Sequence, residues 1–166
     1  MVDQVFKKYT ARGYEGDLVD SGHAVKQTGI LLAGTLGFGK AVQISGTGQG
    51  IAIGSPEIGG TSTTNVFAIS LREYNHEAGT RPSDGTDFLY RTSESVSILR
   101  EGYIYVKLTG ATAIAREEAL HVDEATGLFT KVAGAGISTC LNVYATQTAV
   151  QDEVFKVRID VNRLVS

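Results

Sequence analysis

Apolar and polar side chains alternate most regularly near the end of the chain, over residues 154–161. One face of an extended segment there carries only apolar side chains, those of Phe155, Val157, Ile159 and Val161. The opposite face carries the charged side chains of Lys156, Arg158 and Asp160. Successive side chains of a strand point to opposite faces of a sheet, so this pattern predicts a half-buried β-strand. Residues 66–71 alternate in the same way, and shorter strands are predicted at residues 41–44, 51–53 and 141–145.

Two longer segments predict β-hairpins. Residues 96–108 alternate on either side of residues 100–102, where a glycine suits a tight turn because it has no Cβ. Residues 119–132 alternate on either side of a turn over residues 123–127. Residues 112–120 (TAIAREEAL) contain good helix formers, and a helical turn there stays open as an alternative.

The composition favours strands throughout the chain. Its 166 residues include 20 Gly, 17 Thr, 16 Val and 11 Ile, with only 2 Pro. Thr, Val and Ile are stiff at χ1 and fit a pleated surface better than a helix, and abundant glycine is typical of chains with many turns. We therefore expect an all-β fold, a sandwich or barrel of short antiparallel strands.

Charge and hydropathy exclude several classes of protein. The net charge is −3, so the basic excess of a nucleic-acid binder is missing. No run of 18 apolar residues predicts a membrane span, and the first residues lack the apolar stretch of a signal peptide. The single cysteine, Cys140, excludes a disulfide within the chain and fits a cytosolic origin.

The chain divides into an arm and one domain. Residues 1–20 are rich in charged and aromatic side chains without sustained alternation, so we expect an extended N-terminal arm. Residues 21–166 are expected to form a single β domain with a long polar loop at residues 74–95. Loops of this length in a compact domain are usually functional or mobile.

The segment from Gly34 to Lys40 matches the phosphate-binding loop pattern G-x-x-x-x-G-K as far as the lysine. The next position requires Ser or Thr to hold Mg²⁺, and this chain has Ala41 there. The pattern also requires a following helix, whereas residues 41–46 are β-like and end in a glycine. A glycine-rich turn between strands is the favoured interpretation.

The remaining chemically reactive side chains predict neither catalysis nor a cofactor. The three histidines lack metal-ligand spacing from one another; they are His23, His76 and His121. An acidic cluster leaves a bound cation open as an alternative to a solvated turn; it consists of Glu15, Asp17 and Asp20. Cys140 lies in an apolar stretch, which indicates a buried, inert thiol. We therefore expect no catalytic, metal-binding or cofactor-binding residues.

Seven short segments follow one another in an informative order. They are residues 16–20 (GDLVD), 38–42 (FGKAV), 66–70 (VFAIS), 95–106 (SVSILREGYIYV), 119–123 (ALHVD), 126–130 (TGLFT) and 155–159 (FKVRI). In this order they resemble the capsid cement (decoration) proteins of tailed bacteriophages. The chain departs from the family pattern at Ala68, where a glycine is usual, and at Glu117-Glu118, where a Gly-Asp turn is usual.

The resemblance implies a jelly-roll-like β domain with a structural role in the virion. Such a protein binds the major capsid protein from outside, often as a homo-dimer or homo-trimer at symmetry axes, and strengthens the expanded head against the pressure of packaged DNA. Many contacts repeated by symmetry then hold neighbouring shell subunits together. The resemblance implies no catalysis, cofactor, nucleic-acid partner or membrane, and it implies synthesis in the host cytoplasm.

Two alternatives come from other classes of protein. One is another virion β module, such as a tail or receptor-binding protein for sugars, which would need aromatic platforms. With no Trp, 7 Tyr and 6 Phe, the chain has few of them. The other is a small trimeric β enzyme of nucleotide metabolism, whose paired acidic and Ser/Gly motifs are not found in the sequence.

Six side chains of the arm are candidates for contact with the capsid: Phe6, Lys7, Lys8, Tyr9, Arg12 and Tyr14. Aromatic rings and arginines are typical anchors of protein interfaces. We expect the arm to add as a strand to a neighbour's sheet edge, since main-chain hydrogen bonds then supply affinity. The alternative is that the arm pairs with the sheet of its own domain.

Overall fold

The computed structural model describes residues 13–19, 23–44, 50–53, 67–72 and 89–160. Its strands are β1 (Val25–Leu31), β2 (Thr35–Leu36), β3 (Ala41–Ile44), β4 (Gly50–Ile53), β5 (Ala68–Ser70), β6 (Tyr90–Arg91), β7 (Ser95–Thr109), β8 (Ala119–Asp123), β9 (Phe129–Thr130), β10 (Ile137–Ala145) and β11 (Val154–Ile159). These parts of the chain contain no helix that is long and apolar enough to cross a membrane. The predicted all-β class is confirmed.

Nine of these strands form one sheet that closes on itself twice. The first barrel runs β1-β4-β3-β5-β7 and returns from β7 to β1. The second barrel runs β7-β11-β10-β8-β9 and returns from β9 to β7. Both barrels share β7, whose first half pairs with β1 and β5 and whose second half pairs with β11 and β9. Closure of a sheet removes exposed strand edges, which otherwise invite pairing with other chains.

The alternation of apolar residues fills two cores. The first core is formed by buried side chains of the first barrel and of the separate β2–β6 strand pair with its flanking residues, namely Leu31, Leu36, Phe38, Val42, Ala68, Tyr90, Val96 and Ile98. The second core is larger and takes most of its residues from β7, β8, β10 and β11. Strand β5 contributes to both, because Ala68 belongs to the first core and Ile69 to the second. Residues 67–71 are all buried, so the alternation here is between two buried surroundings and not between core and solvent, and Val66 lies outside the described residues.

The predicted hairpin at residues 96–108 is wrong, because these residues lie in the single 15-residue strand β7. Gly102 has a φ of 129°, and a Cβ there would lie 3.0 Å from the carbonyl oxygen of His23. The register against β1 shifts at the same place, since Val25 pairs with Glu101 and Lys26 pairs with Leu99. Gly102 therefore lies beside a β-bulge and allows the backbone of His23, which is far away in the sequence, to approach closely.

The strand predicted near the C-terminus is confirmed as β11. Phe155, Val157 and Ile159 are fully buried, whereas Arg158 on the other face is exposed. Val161 lies outside the described residues. The strands predicted at residues 41–44, 51–53 and 141–145 are also confirmed, within β3, β4 and β10.

The hairpin predicted over residues 119–132 is confirmed, with Val122 opposite Phe129 in β8 and β9. The helical turn left open at residues 112–120 does not form. Instead Ile114 makes an isolated bridge with Ala149, and β8 begins at Ala119.

The predicted polar loop at residues 74–95 ends earlier than the sequence suggested. Tyr90 is fully buried in β6, where its hydroxyl donates to the carbonyl oxygen of Leu71 at 2.9 Å. Its ring also packs edge-on against Phe38, with 5.5 Å between the ring centroids. Residues 73–88 lie outside the described residues.

One polar side chain links the two barrels. Asn142 in β10 is fully buried, and its amide bonds both main-chain groups of Phe67, the residue before β5. Oδ1 accepts from the Phe67 N–H at 3.0 Å, and Nδ2 donates to the Phe67 carbonyl oxygen at 2.8 Å. The Asn142 side chain therefore makes the two hydrogen bonds to Phe67 that a neighbouring strand would otherwise make.

Candidate functional site

Residues 13–19, the last part of the predicted arm, form the arm root, which is hydrogen-bonded to the barrels. The N–H of Gly16 donates to the carbonyl oxygen of Tyr105 at 2.8 Å, and the N–H of Tyr105 donates to the carbonyl oxygen of Asp17 at 3.0 Å. On the other side, the N–H of Arg72 donates to the carbonyl oxygen of Gly16 at 2.9 Å. The arm root thus pairs with its own domain, and residues 1–12 lie outside the described residues.

Glycines allow the arm root to approach so closely. Gly16 has a φ of 82°, and a Cβ on it would lie 2.7 Å from the Cβ of Phe38. Gly39 has a φ of 65°, and a Cβ on it would lie 2.8 Å from the backbone nitrogen of Gly16. L-amino acids other than glycine rarely adopt such backbone angles. Two of the segments that carry the family resemblance, GDLVD and FGKAV, therefore meet here.

A third such segment, TGLFT, contacts the FGKAV segment. The N–H of Ala41 donates to the carbonyl oxygen of Gly127 at 2.8 Å, and a Cβ on Gly127 would lie 2.6 Å from the carbonyl oxygen of Ala41. The segment from Gly34 to Lys40 is thus a glycine-rich connection that contains β2 and leads into β3, as the sequence favoured. No helix follows it, so the main requirement of a phosphate-binding loop is not met.

The acidic side chains of the arm root are paired with cations. The Lys40 Nζ lies 3.0 Å from Glu15, and the Arg72 Nε lies 3.9 Å from Asp17. Asp17 also accepts a hydrogen bond from the N–H of Tyr14 at 2.8 Å. Within the described residues, no group of three or more His, Cys, Asp or Glu could hold a metal ion. Asp20, the third member of the predicted cluster, lies outside them.

Tyr14 is the one predicted capsid-contact residue that falls within the described residues. Its side chain is 68% exposed, and the guanidinium of Arg72 lies 4.7 Å from the centre of its ring. The same guanidinium lies 5.7 Å from the ring of Phe38. The other five predicted residues lie outside the described part of the chain; they are Phe6, Lys7, Lys8, Tyr9 and Arg12.

A cleft of about 420 Å³ opens beside the arm root. It is lined by residues from four separate segments, namely Gly16, Asp17, Leu18, Lys26, Leu71, Arg72 and Ser97. Sequence reasoning missed Lys26 and Arg72 because no spacing relates them to the arm. The only sequence signal was the position of Arg72, two residues before the long polar loop.

Cys140, His121 and His23 are not among the residues that line this cleft. Cys140 is fully buried, and burial raises the pKa of its thiol well above the usual value. His121 makes a side-chain hydrogen bond between its Nδ1 and the hydroxyl of Thr139, at 3.1 Å. His23 is exposed, and His76 lies outside the described residues. Because its pKa is raised, the Cys140 thiol is neutral, and the neutral form is not the nucleophilic one.

Comparison with known proteins assigns the chain to a family. The model of the structural cement protein family (E217 gp24/Pam3 gp6) matches residues 2–160. A chain in the solved capsid of Myoviridae phage XM1 has the same fold, with a TM-score of 0.66 and 14% sequence identity over 93% of this chain and 94% of that chain. No curated protein matches the sequence. Because the family match covers nearly the whole chain and includes all the segments that meet at the arm root, this chain belongs to the phage structural cement proteins and has a capsid cement role.

Proposed function

We propose that this cement protein binds the outer surface of the major capsid protein shell, holds neighbouring shell subunits together and stabilises the expanded head. The observation that carries the proposal is the arm root, which is bonded to β7 on one side and to Arg72 on the other. Tyr14 nevertheless remains 68% exposed at this place. Because the arm root is hydrogen-bonded to its own domain, an arm that binds a neighbouring subunit would hold that subunit and the barrel together.

The arm supplies the chemistry for this contact. Phe6 and Tyr9 provide aromatic rings, while Lys7, Lys8 and Arg12 provide positive charge. A shell surface with negative charge would complement the cations, and pockets in it would accept the rings. Strand addition to the edge of a shell subunit's sheet would supply main-chain hydrogen bonds as well.

Repetition by symmetry makes moderate contacts sufficient. We propose that the protein acts as a homo-dimer or homo-trimer at symmetry axes of the head, where one bound subunit raises the effective concentration of the next contact. This role needs no catalysis, cofactor, nucleic-acid partner or membrane. It places the protein on the outer surface of the virion after synthesis in the host cytoplasm.

Deletion of residues 2–12 tests the role of the arm, because it removes five of the six candidate contact residues and keeps the arm root with its hydrogen bonds to Tyr105 and Arg72. We expect the truncated protein to melt at the same temperature as the full chain and to fail to decorate heads that lack this protein. A matched pair of variants separates the two kinds of anchor: Phe6→Ala with Tyr9→Ala removes rings, and Lys7→Gln with Lys8→Gln removes charge.

Two outcomes would contradict the proposal. Full decoration by the truncated protein would show that the shell contact lies elsewhere. A much lower melting temperature would assign residues 2–12 to the stability of their own domain.

A further inference from the structure

The outer face of β7 and β11 on the second barrel carries aromatic rings and cations side by side. Tyr103 and Tyr105 on β7 are half-buried and alternate with residues that are fully buried in the second core. The antiparallel register places Arg158 opposite Tyr103 and Lys156 opposite Tyr105. Phe155, which precedes Lys156, points into the second core, so Lys156 lies on the outer face with the rings. The four outward residues Tyr103, Tyr105, Lys156 and Arg158 together form the tyrosine–cation face.

Lys156 is the central cation of this face. Its Nζ lies 5.7 Å from the centre of the Tyr103 ring. Arg158 differs, because its guanidinium lies 2.8 Å from the carboxylate of Asp160 and is compensated within the chain. A contact with a ring orders the ammonium group of Lys156 and keeps its positive charge. A tyrosine beside an ordered cation is typical of the anchors of protein interfaces.

The arm joins the domain at this face. A Cβ on Gly13 would lie 2.1 Å from Cδ2 of Tyr105, so the backbone of Gly13 lies directly on this ring. The next residue, Tyr14, begins a turn in which the N–H of Asp17 donates to the Tyr14 carbonyl oxygen at 3.0 Å. The N–H of Tyr14 in return donates to the Asp17 carboxylate at 2.8 Å. The ring and the turn fix the point from which residues 1–12 continue, so a subunit that binds the arm near its root lies against the tyrosine–cation face.

Charge distinguishes between the possible occupants of this face. The arm carries Lys7, Lys8 and Arg12, so it would bring positive charge to Lys156. A two-fold contact between copies through this face would place its own cations against each other. A surface with carboxylates complements both the arm and the face.

We infer that the tyrosine–cation face docks on an acidic surface of the major capsid protein subunit that binds the arm. Lys156 supplies the charge of this contact and Tyr103 supplies the aromatic anchor. The inference rests on the proposed function, to which it adds a contact surface on the domain itself and the chemistry of the partner.

Variants of the face test the inference on purified heads that lack this protein. We expect Lys156→Gln and Tyr103→Ala each to weaken decoration about fivefold, with a reduced dependence on salt only in Lys156→Gln. Tyr103→Phe keeps the ring and should decorate heads as the wild type does. The matched control is Arg116→Gln, which removes a cation whose side chain is 74% exposed and should leave decoration unchanged. Lys156 lies outside the core, so Lys156→Gln should keep the melting temperature even if Tyr103→Ala does not.

Acetylation of Lys156, measured by mass spectrometry, identifies what covers the face. Lys156 should react equally in the free full chain and in the chain that lacks residues 2–12, and it should be protected on decorated heads. Faster reaction after the deletion would assign the face to the arm. Protection that grows with the concentration of the free protein would assign it to a second copy. Either result would overturn the inference.

The two measurements separate failure of the inference from failure of the proposed function. Wild-type decoration by Lys156→Gln, with Lys156 still reactive on heads, would overturn the inference, while loss of binding on arm deletion would still support the proposed function. An equal loss in the Arg116→Gln control would show a non-specific effect of charge and would also overturn the inference. Failure of the wild-type protein to decorate heads would contradict the proposed function itself, and this inference with it.

Discussion

Replacement of Asn142 by leucine should destabilise the protein strongly, because one side chain serves two buried main-chain groups. The variant Asn142→Leu keeps the branched shape of the side chain but leaves the N–H and the carbonyl oxygen of Phe67 without the partners that now lie at 3.0 and 2.8 Å. Each buried group without a partner costs about 1–3 kcal/mol, so the free energy of unfolding should fall by about 2–6 kcal/mol. That is a large part of the about 5–15 kcal/mol that stabilises a typical domain.

Urea denaturation followed by circular dichroism measures this loss directly. We expect a lower midpoint at an unchanged dependence on urea, since the surface exposed on unfolding stays the same. Asn142→Asp should be at least as harmful, because a carboxylate oxygen would then face the Phe67 carbonyl oxygen. Gln147→Leu, at an exposed position, serves as the control. A loss below about 1 kcal/mol in Asn142→Leu would refute the reasoning, because water or a shifted backbone would then be satisfying Phe67.

Four further predictions concern single positions. Gly16→Ala should cost about 2–5 kcal/mol in urea denaturation, from its φ of 82° and the crowded contacts of the new Cβ; a neutral result would show that the arm root is not packed as described. Glu117→Gly should stabilise by about 0.5–1 kcal/mol, because Glu117 has a φ of 63° that suits glycine; a lower melting temperature would contradict this. Cys140 should react with a thiol reagent at pH 8 only after unfolding, and rapid reaction of the native protein would disprove its burial. The hydrogen bond from Lys131 lowers the pKa of Glu118. This pair therefore stabilises the fold above the ordinary glutamate pKa, and the stabilisation is lost as pH falls through the lowered pKa. In an NMR titration, Lys131→Met should raise the pKa of Glu118.

Local alternation predicted much of the fold because it reports which side chains share a face. It located β11 and the β8–β9 hairpin, where each turn is fixed by nearby residues. It failed at Gly102, because the bulge there depends on the backbone of His23, which is about eighty residues away in the sequence. It also misplaced the end of the polar loop, since Tyr90 becomes a core residue only through Leu71 and Phe38.

The family resemblance added what alternation could not. According to the resemblance, Glu117 stands where a glycine is usual, and this residue has a left-handed backbone in the structure, with a φ of 63°. The same close contact explains two glycines in the segments that carry the resemblance, because Gly16 and Gly39 contact each other at the arm root. Neither source predicted the cleft, whose cations come from β1 and from the segment that follows β5 and meet only in the folded chain.

Decoration of purified heads that lack this protein tests the central claim most directly. Expanded heads are mixed with the full chain, imaged by cryo-electron microscopy and heated to measure the temperature at which they release DNA. The account predicts regular density on the outer surface, with the arm in contact with neighbouring shell subunits, and a higher temperature of DNA release. Absence of bound protein, or bound protein that leaves the release temperature unchanged, would contradict it.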